Sequence, residues 1–181
     1  MKARVLCTAL ALLVLSASAL RADDKPKGPP QPGPEHKRLA YFEGKWTSEG
    51  EMKESPYGPA GKFTGADVCE WFPGGFFLKC TGDGKTPMGD MKSLGILGYN
   101  GEDKVYTYYG IDNMGMGDSA KGTLKGDTWT YTSSSKMKGK VIKSRYVMKE
   151  ISPTSYSFSW SMADDKGGWK TGMEGKATKS K

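Results

Sequence analysis

Two cysteines, Cys69 and Cys80, are the residues of this chain whose spacing most directly predicts chemistry. They lie in strand-like segments on either side of Pro73-Gly74-Gly75, and Gly-Gly is a favoured hairpin turn. A two-residue loop at Gly74 and Gly75 places the cysteines opposite each other, in a hydrogen-bonded pair of the ladder. In an oxidising compartment such a pair forms a disulfide, so we predict a Cys69–Cys80 bond. The alternative is two small buried thiols.

The single histidine narrows the catalytic possibilities. His36 lies ahead of the strand series, which argues against Ser-His-Asp and Cys-His nucleophile arrangements and against a haem-binding barrel with a proximal histidine inside it. Two carboxylate pairs, Asp67 with Glu70 and Asp112 with Asp118, are explained more simply as surface or turn residues. An enzyme that uses carboxylates at a barrel mouth is therefore the least favoured function.

The methionines suggest one possible metal site, because soft thioethers suit Cu(I). Four of them lie in or near turns: Met88, Met91, Met114 and Met116. Methionine also commonly fills gaps in cores, and no histidine lies near these four residues. No Gly-rich phosphate loop links a strand to a helix. We therefore predict no metal site, no catalytic residue and no cofactor.

The first 22 residues are typical of an export signal. A basic start precedes an apolar stretch at residues 5–15, and Ala19 and Ala22 offer small-residue cleavage sites. That stretch is too short to span a bilayer, and no later apolar stretch approaches the required length. The sequence predicts a signal peptide over residues 1–22, no membrane span, and a periplasmic or secreted protein.

Composition separates a linker from a folded domain. Residues 23–35 are Pro-rich and cannot build a core, so we predict a linker there and one domain over residues 36–178. The net charge of +7 comes from 27 basic and 20 acidic residues. The lysines are scattered and form no clustered basic footprint, so nucleic-acid binding is not predicted.

Short segments with a two-residue period occupy that domain. In residues 156–162, large apolar side chains alternate with serines, which places one row in a core and the other in water. Joined by short turns, about ten such segments predict an all-β fold, a single antiparallel up-and-down β-barrel after a short helical turn at Glu35–Phe42. The predicted strands are Trp46–Glu54, Lys62–Phe72, Phe76–Thr81, Lys92–Tyr99, Val105–Asp112, Ser119–Leu124, Thr128–Ser134, Val141–Ile151, Ser155–Met162 and Trp169–Thr178.

The same alternation predicts which side chains face inward. Even positions of the first strand, from Trp46 to Met52, point into the barrel, as do Trp169, Thr171 and Met173 in the last strand. A barrel of eight to ten strands is wide enough to enclose a small ligand, although the same side chains can also simply pack a core. The candidate ligand-binding residues are Trp46, Tyr109, Trp129, Tyr146, Phe158, Trp160 and Trp169.

Two stretches resemble known families. Gly44-Lys45-Trp46, after a short apolar helical turn, resembles the Gly-x-Trp start of lipocalin-like barrels, in which the tryptophan closes one end. Leu94–Asn100, the strand from Val105, and residues 111–115 (Ile-Asp-Asn-Met-Gly) are similar to the uncharacterised bacterial domain-of-unknown-function family fifteen-seventy-nine. That family carries a Gly-Tyr-Asp/Asn turn, an aromatic strand and a following Asp-Ser/Asn-Met-Gly. The resemblance covers residues 36 to 178 and implies a lipocalin-like (calycin) barrel without an assigned activity.

Three function classes follow. We favour an exported binding module that holds a small hydrophobic or amphipathic molecule between aromatic walls, with inward hydroxyls orienting its polar end. The alternative is a structural or interaction protein of the envelope with a filled barrel, and an enzyme comes last. Fatty-acid-binding proteins hold a carboxylate with an Arg-x-Tyr pair in the last strand, whereas Trp169–Thr178 contains no arginine. The sequence identifies neither the ligand nor the oligomeric state.

Overall fold

The computed structural model of the protein describes residues 28–137, 139–164 and 167–180. The predicted signal peptide, its cleavage sites and the first part of the linker lie outside the described residues. From residue 31 onward the described residues form one compact unit, and residues 28–30 belong to a separate N-terminal unit. Among the helices of the described residues, none is long and apolar enough to cross a membrane.

Ten antiparallel strands close into one barrel, each paired with its neighbours in the chain and the first paired with the last. A short helix, α1 (Pro34–Arg38), and a 3-10 turn, Leu39–Phe42, precede them. The strands are β1 (Gly44–Met52), β2 (Gly61–Trp71), β3 (Phe77–Thr86), β4 (Gly89–Asn100), β5 (Val105–Asp112), β6 (Gly117–Lys125), β7 (Thr128–Met137), β8 (Lys140–Ser152), β9 (Ser155–Ala163) and β10 (Trp169–Lys179).

The predicted all-β barrel is confirmed, and its strand boundaries show where local sequence was too weak a guide. β5 spans the predicted Val105–Asp112, whereas β3 continues to Thr86, well past the predicted end at Thr81. The added segment contains Gly82 and Gly84, which have low intrinsic strand preference. Pairing with β2 and β4 on both sides holds this segment extended.

One end of the barrel, the base, is closed by the segment that precedes β1. Leu39 and Phe42 are buried there, on the same side of the turn as predicted. The Trp46 indole, 2% exposed, donates a hydrogen bond of 2.8 Å to the Phe42 carbonyl. Tyr156 packs against the Trp46 ring with 5.0 Å between centroids. The tryptophan at the start of β1 therefore closes the base, as the lipocalin-like resemblance implies.

The predicted disulfide is present, and the hairpin loop beside it differs from the prediction. Cys69 and Cys80 are bonded, with 4.0 Å between their Cα atoms. Phe72 N–H donates to the Phe77 carbonyl at 2.8 Å, so the loop has four residues (73–76) and not two. Phe72 and Phe77 are thus the hydrogen-bonded pair next to the loop. Hydrogen-bonded pairs recur at every second position from there, and Cys69 with Cys80 falls between two of them. The cysteines therefore form a non-hydrogen-bonded pair, in which Cα atoms lie closer together.

Two candidate wall residues lie outside the barrel, and their predicted inward orientation is wrong. Tyr109 is 53% exposed, because its neighbours Tyr106 and Tyr108 take the inward positions of β5. Trp169 is 40% exposed and packs under the Arg145 guanidinium at 4.5 Å. A register shift between Thr171 and Met173 explains the second error, since one extra residue reverses the facing of every side chain before it.

Candidate functional site in the barrel interior

The five remaining candidates, Trp46, Trp129, Tyr146, Phe158 and Trp160, face inward at two different levels. Trp46 and Trp129 belong to the packed base, where Trp129 is fully buried. Phe158, Trp160 and Tyr146 lie farther along β8 and β9, toward the opposite end of the barrel, the mouth. The structure therefore divides the predicted wall into a closing layer and an upper layer.

Trp129 at the base is held by hydrogen bonding and ring packing within the chain. Its indole N–H donates to Glu150 Oε1 at 2.7 Å, and Arg38 from α1 makes an ion pair with the same oxygen at 2.7 Å. Its ring packs on Phe42 at 5.1 Å and on Tyr106 at 4.7 Å. The indole N–H and the Arg38 guanidinium both bind Glu150, so this contact fixes the helical segment across the base.

The upper layer has aromatic walls. Tyr146 stacks on Phe158 with 5.8 Å between centroids and 23° between planes, and Phe63 from β2 lies 6.0 Å from Phe158 on another side. Trp160 pairs with Tyr146 across β8 and β9 and is partly accessible. These rings provide the flat apolar surfaces that would hold a hydrophobic ligand.

A carboxylate that sequence analysis assigned to the surface lies in this interior. Asp67 pairs with Trp46 across β1 and β2, so both side chains point inward, whereas Glu70 points outward and is exposed. Burial raises the pKa of Asp67, and no hydrogen bond from the described residues opposes that effect. The earlier interpretation of Asp67 as a surface residue is therefore wrong, and that of Glu70 is right.

Three tyrosines share the interior with Asp67. Burial raises the pKa of Tyr146 well above its ordinary value, and the nearby charges of Tyr156 and Asp67 add to the shift. Burial likewise raises the pKa of Tyr156 and of Tyr108, again with a contribution from Asp67. The phenols come from β5, β8 and β9 and the carboxylate from β2, so only barrel closure brings them together.

The interior above the base keeps some solvent access. Asp67, Tyr108 and Tyr146 each keep a partly accessible surface, although strand parity turns them away from the outer face. Glycine supplies part of this space. A Cβ at Gly82 would lie 2.6 Å from Asp67 Oδ1 and 2.6 Å from Ser93 Oγ. The two polar groups therefore occupy room that any larger residue on β3 would take.

The sequence did contain a signal for Asp67. Trp46 was placed inward, and the hairpin between β1 and β2 pairs position 46 with position 67, so the facing of Asp67 follows once that register is known. The intervening loop, residues 53–60, includes an isolated bridge between Ser55 and Gly58 and gives no simple turn signal. Without a turn type, the register of a hairpin is not fixed by sequence.

The mouth combines polar and apolar groups. Ser133 Oγ donates to Asp118 Oδ2 at 2.8 Å and lies 2.7 Å from Ser144 Oγ. The turns at this end expose three thioether side chains. They are Met88, Met114 and Met116. Within the described ranges, no three His, Cys, Asp or Glu side chains are grouped so as to hold a metal ion.

The two aromatic residues that were wrongly predicted to face inward line one groove on the outer surface. Tyr109 and Trp169 line a groove of about 640 Å³ together with Lys121 and Lys143. Most of the other lining residues carry hydroxyl groups, and Asp103 adds a carboxylate. This groove lies on the outer side of β5 to β8 and is separate from the interior that holds Asp67.

Comparisons with known proteins agree with this architecture. A family model described as "Protein of unknown function (DUF1579)" matches residues 31–179, which confirms the resemblance found in the sequence. The crystal structure of Rv2717c from M. tuberculosis is similar, with a TM-score of 0.57 and 13% sequence identity. That match covers 82% of this chain and 99% of the other, and at such low identity it shows the fold alone. No curated protein matches the chain.

Proposed function

The chain belongs to the DUF1579 family of proteins of unknown function, and from the architecture of its barrel we propose that it is an exported binding protein for a small hydrophobic or amphipathic molecule. The observation that supports this proposal is the partly accessible interior above the packed base, which holds Asp67, three phenols and the stacked rings of Tyr146 and Phe158. Mostly apolar cavities with a few convergent polar groups are typical ligand sites.

The distribution of apolar surface supports the same assignment. Phe158, Tyr146 and Trp160 supply stacking surfaces inside. At the mouth, Met114 and Met116 are exposed on one turn, and flexible thioethers adapt to irregular apolar shapes. A ligand with an apolar body would pass over this rim before it reaches the interior walls.

Export is part of the proposal. The Cys69–Cys80 disulfide fits an oxidising compartment, such as the periplasm or the medium. The described residues contain no helix able to cross a membrane. Together with the signal peptide predicted at residues 1–22, these features favour a protein released after cleavage near Ala19 or Ala22.

The first experiment is native mass spectrometry of the protein purified from its exported compartment, compared with the same sample after denaturation. An added mass that disappears on denaturation establishes a bound ligand. Binding of the neutral probe 1-N-phenylnaphthylamine to delipidated protein is measured in parallel, for the wild type and two tryptophan variants. If the protein shows no added mass and also does not bind the probe saturably, the proposal is refuted.

The two variants distinguish a binding site in the barrel interior from one on the outer surface. Trp160→Ala removes an interior wall and should weaken probe binding by about tenfold, a typical cost for losing one aromatic contact. Trp169→Ala removes the same side chain from the outer surface and should leave probe binding unchanged. The reverse ranking would place the binding site in the outer groove and favour the alternative, a filled barrel that acts through its surface.

A further inference from the structure

Between the two ends of the described barrel, the charged side chains that face the interior are acidic. Asp67 lies at mid-height on β2, and Asp118 lies toward the mouth on β6. Three lysines occupy inward register positions at the two ends of the barrel. Lys140 and Lys170 are exposed at the mouth, and Lys179 lies at the base with its Nζ 5.2 Å from the Trp46 ring centroid. Within the described part of the barrel, the middle of the interior is therefore complementary to a cation.

Asp67 itself has no partner that compensates its charge. Nothing among the described residues donates a hydrogen bond to its carboxylate. The phenol of Tyr146, which keeps a partly accessible surface, likewise has no hydrogen bond from the described residues. Opposite it on β7, Tyr131 is 4% exposed, and its buried hydroxyl has no partner in the described structure. Unpaired polar groups at this depth cost free energy unless a ligand or water satisfies them.

We propose that the barrel selects amphiphiles whose polar end is a protonated primary amine, with Asp67 as the carboxylate that holds the ammonium group. This inference rests on the proposed function, since it names the ligand class of the same interior. An ammonium group has three N–H donors and no acceptor. The Asp67 carboxylate and the oxygens of Tyr108 and Tyr146 offer acceptors on facing walls.

The opposite ligand charge is disfavoured by the same groups. A fatty acid would bring a second carboxylate next to Asp67 without an arginine or lysine at that level. Two like charges in a poorly solvated site repel strongly, and one of them must bind a proton. A neutral alcohol of the same chain length avoids that repulsion and gains only ordinary hydrogen bonds.

The test uses three probes that share one apolar chain: dodecylamine, dodecanol and dodecanoate, each below its aggregation concentration. Their dissociation constants are measured at pH 7 by displacement of 1-N-phenylnaphthylamine from the delipidated protein. We expect dodecylamine to bind about ten to a hundred times more tightly than dodecanol, the range for a hydrogen bond to a charged group. Dodecanoate should bind more weakly than either.

Two near-isosteric variants assign the preference to one side chain. Asp67→Asn should bring the ratio of amine to alcohol affinity close to one while dodecanol affinity is kept. Glu70→Gln removes the same charge from the outer face of the same strand and should leave the ratio unchanged.

Each outcome separates this inference from the proposal beneath it. Equal binding of amine and alcohol to the wild type, or an unchanged ratio in Asp67→Asn, overturns the amine preference and leaves the binding barrel standing. If 1-N-phenylnaphthylamine does not bind, or if none of the three dodecyl compounds displaces it, the amine preference and the proposed binding function are both overturned.

Discussion

Removal of the Cys69–Cys80 bond tests how much of the stability of this barrel depends on a single crosslink. The bond joins residues separated by 11 positions across the β2–β3 hairpin. In the chain-entropy description, closing a loop of that length removes enough disorder from the unfolded state to stabilise the fold by about 2.8 kcal/mol at 25 °C. For a domain of 150 to 250 residues, that free energy corresponds to a fall in Tm of roughly 6 to 11 °C when the bond is broken.

The assay is differential scanning calorimetry with and without dithiothreitol, with alkylation and mass measurement to establish how many thiols are free. Reduction isolates the crosslink, because both sulfur atoms remain and the packing of the buried Cys69 is largely retained. The double variant Cys69→Ala/Cys80→Ala is the control, and dithiothreitol should not shift its Tm. Identical melting of oxidised and fully reduced protein would refute the reasoning, as would two free thiols in the protein as purified from its exported compartment.

The remaining predictions concern buried polar groups. Because burial raises the pKa of Asp67, the folded state keeps a proton that the unfolded state releases, so stability should fall as pH rises from about 4 through the folded pKa. Urea unfolding should show that Asp67→Asn reduces this fall and is more stable than wild type at pH 7, and a less stable variant would contradict it. Phenolate absorbance should show that Tyr146 and Tyr156 do not ionise near pH 10 until the barrel unfolds at higher pH, and a full native titration there would refute their burial. Trp129→Phe should cost about 1 to 3 kcal/mol in urea, since it leaves Glu150 without the indole donor, whereas Trp169→Phe should cost under about 0.5 kcal/mol.

Inward-facing glycines make room for polar side chains in the barrel interior. A Cβ at Gly110 would lie 2.2 Å from the Tyr108 hydroxyl oxygen, so the ring now occupies the room of the missing side chain. Gly82 makes the corresponding room for Asp67 and Ser93. Glycines that favour turns and bends in the sequence therefore have a second role in the structure, since several of them face inward and allow polar groups to lie close to the wall.

Local pattern was sufficient for the fold because the side chains of a strand alternate with a fixed period. Residues 156–162 illustrate this, with Phe158 and Met162 buried as the alternation predicts. Turn residues separated the strands well enough to give their number. The cysteine pairing also followed from local information, since a hairpin register depends on a few residues around its loop.

The errors arose where a single residue changes the parity of a strand. The shift between Thr171 and Met173 turned Trp169 outward, and the four-residue loop at 73–76 changed the hydrogen-bonding class of the cysteine pair. Neither has a reliable local signal, because a bulge is stabilised by neighbouring strands and by closure of the sheet.

Only the tertiary structure decided which side chains lie next to one another in the barrel interior. By itself the sequence determined ten alternating strands from their two-residue period and a disulfide hairpin from its turn residues, and the resemblance to lipocalin-like barrels implied a closing tryptophan at Trp46. It did not place Asp67 beside Tyr108 and Tyr146, because β2, β5 and β8 are far apart in the chain and face one another only across the closed barrel. The environment of a side chain, and with it the pKa and the ligand preference, is set by those distant neighbours.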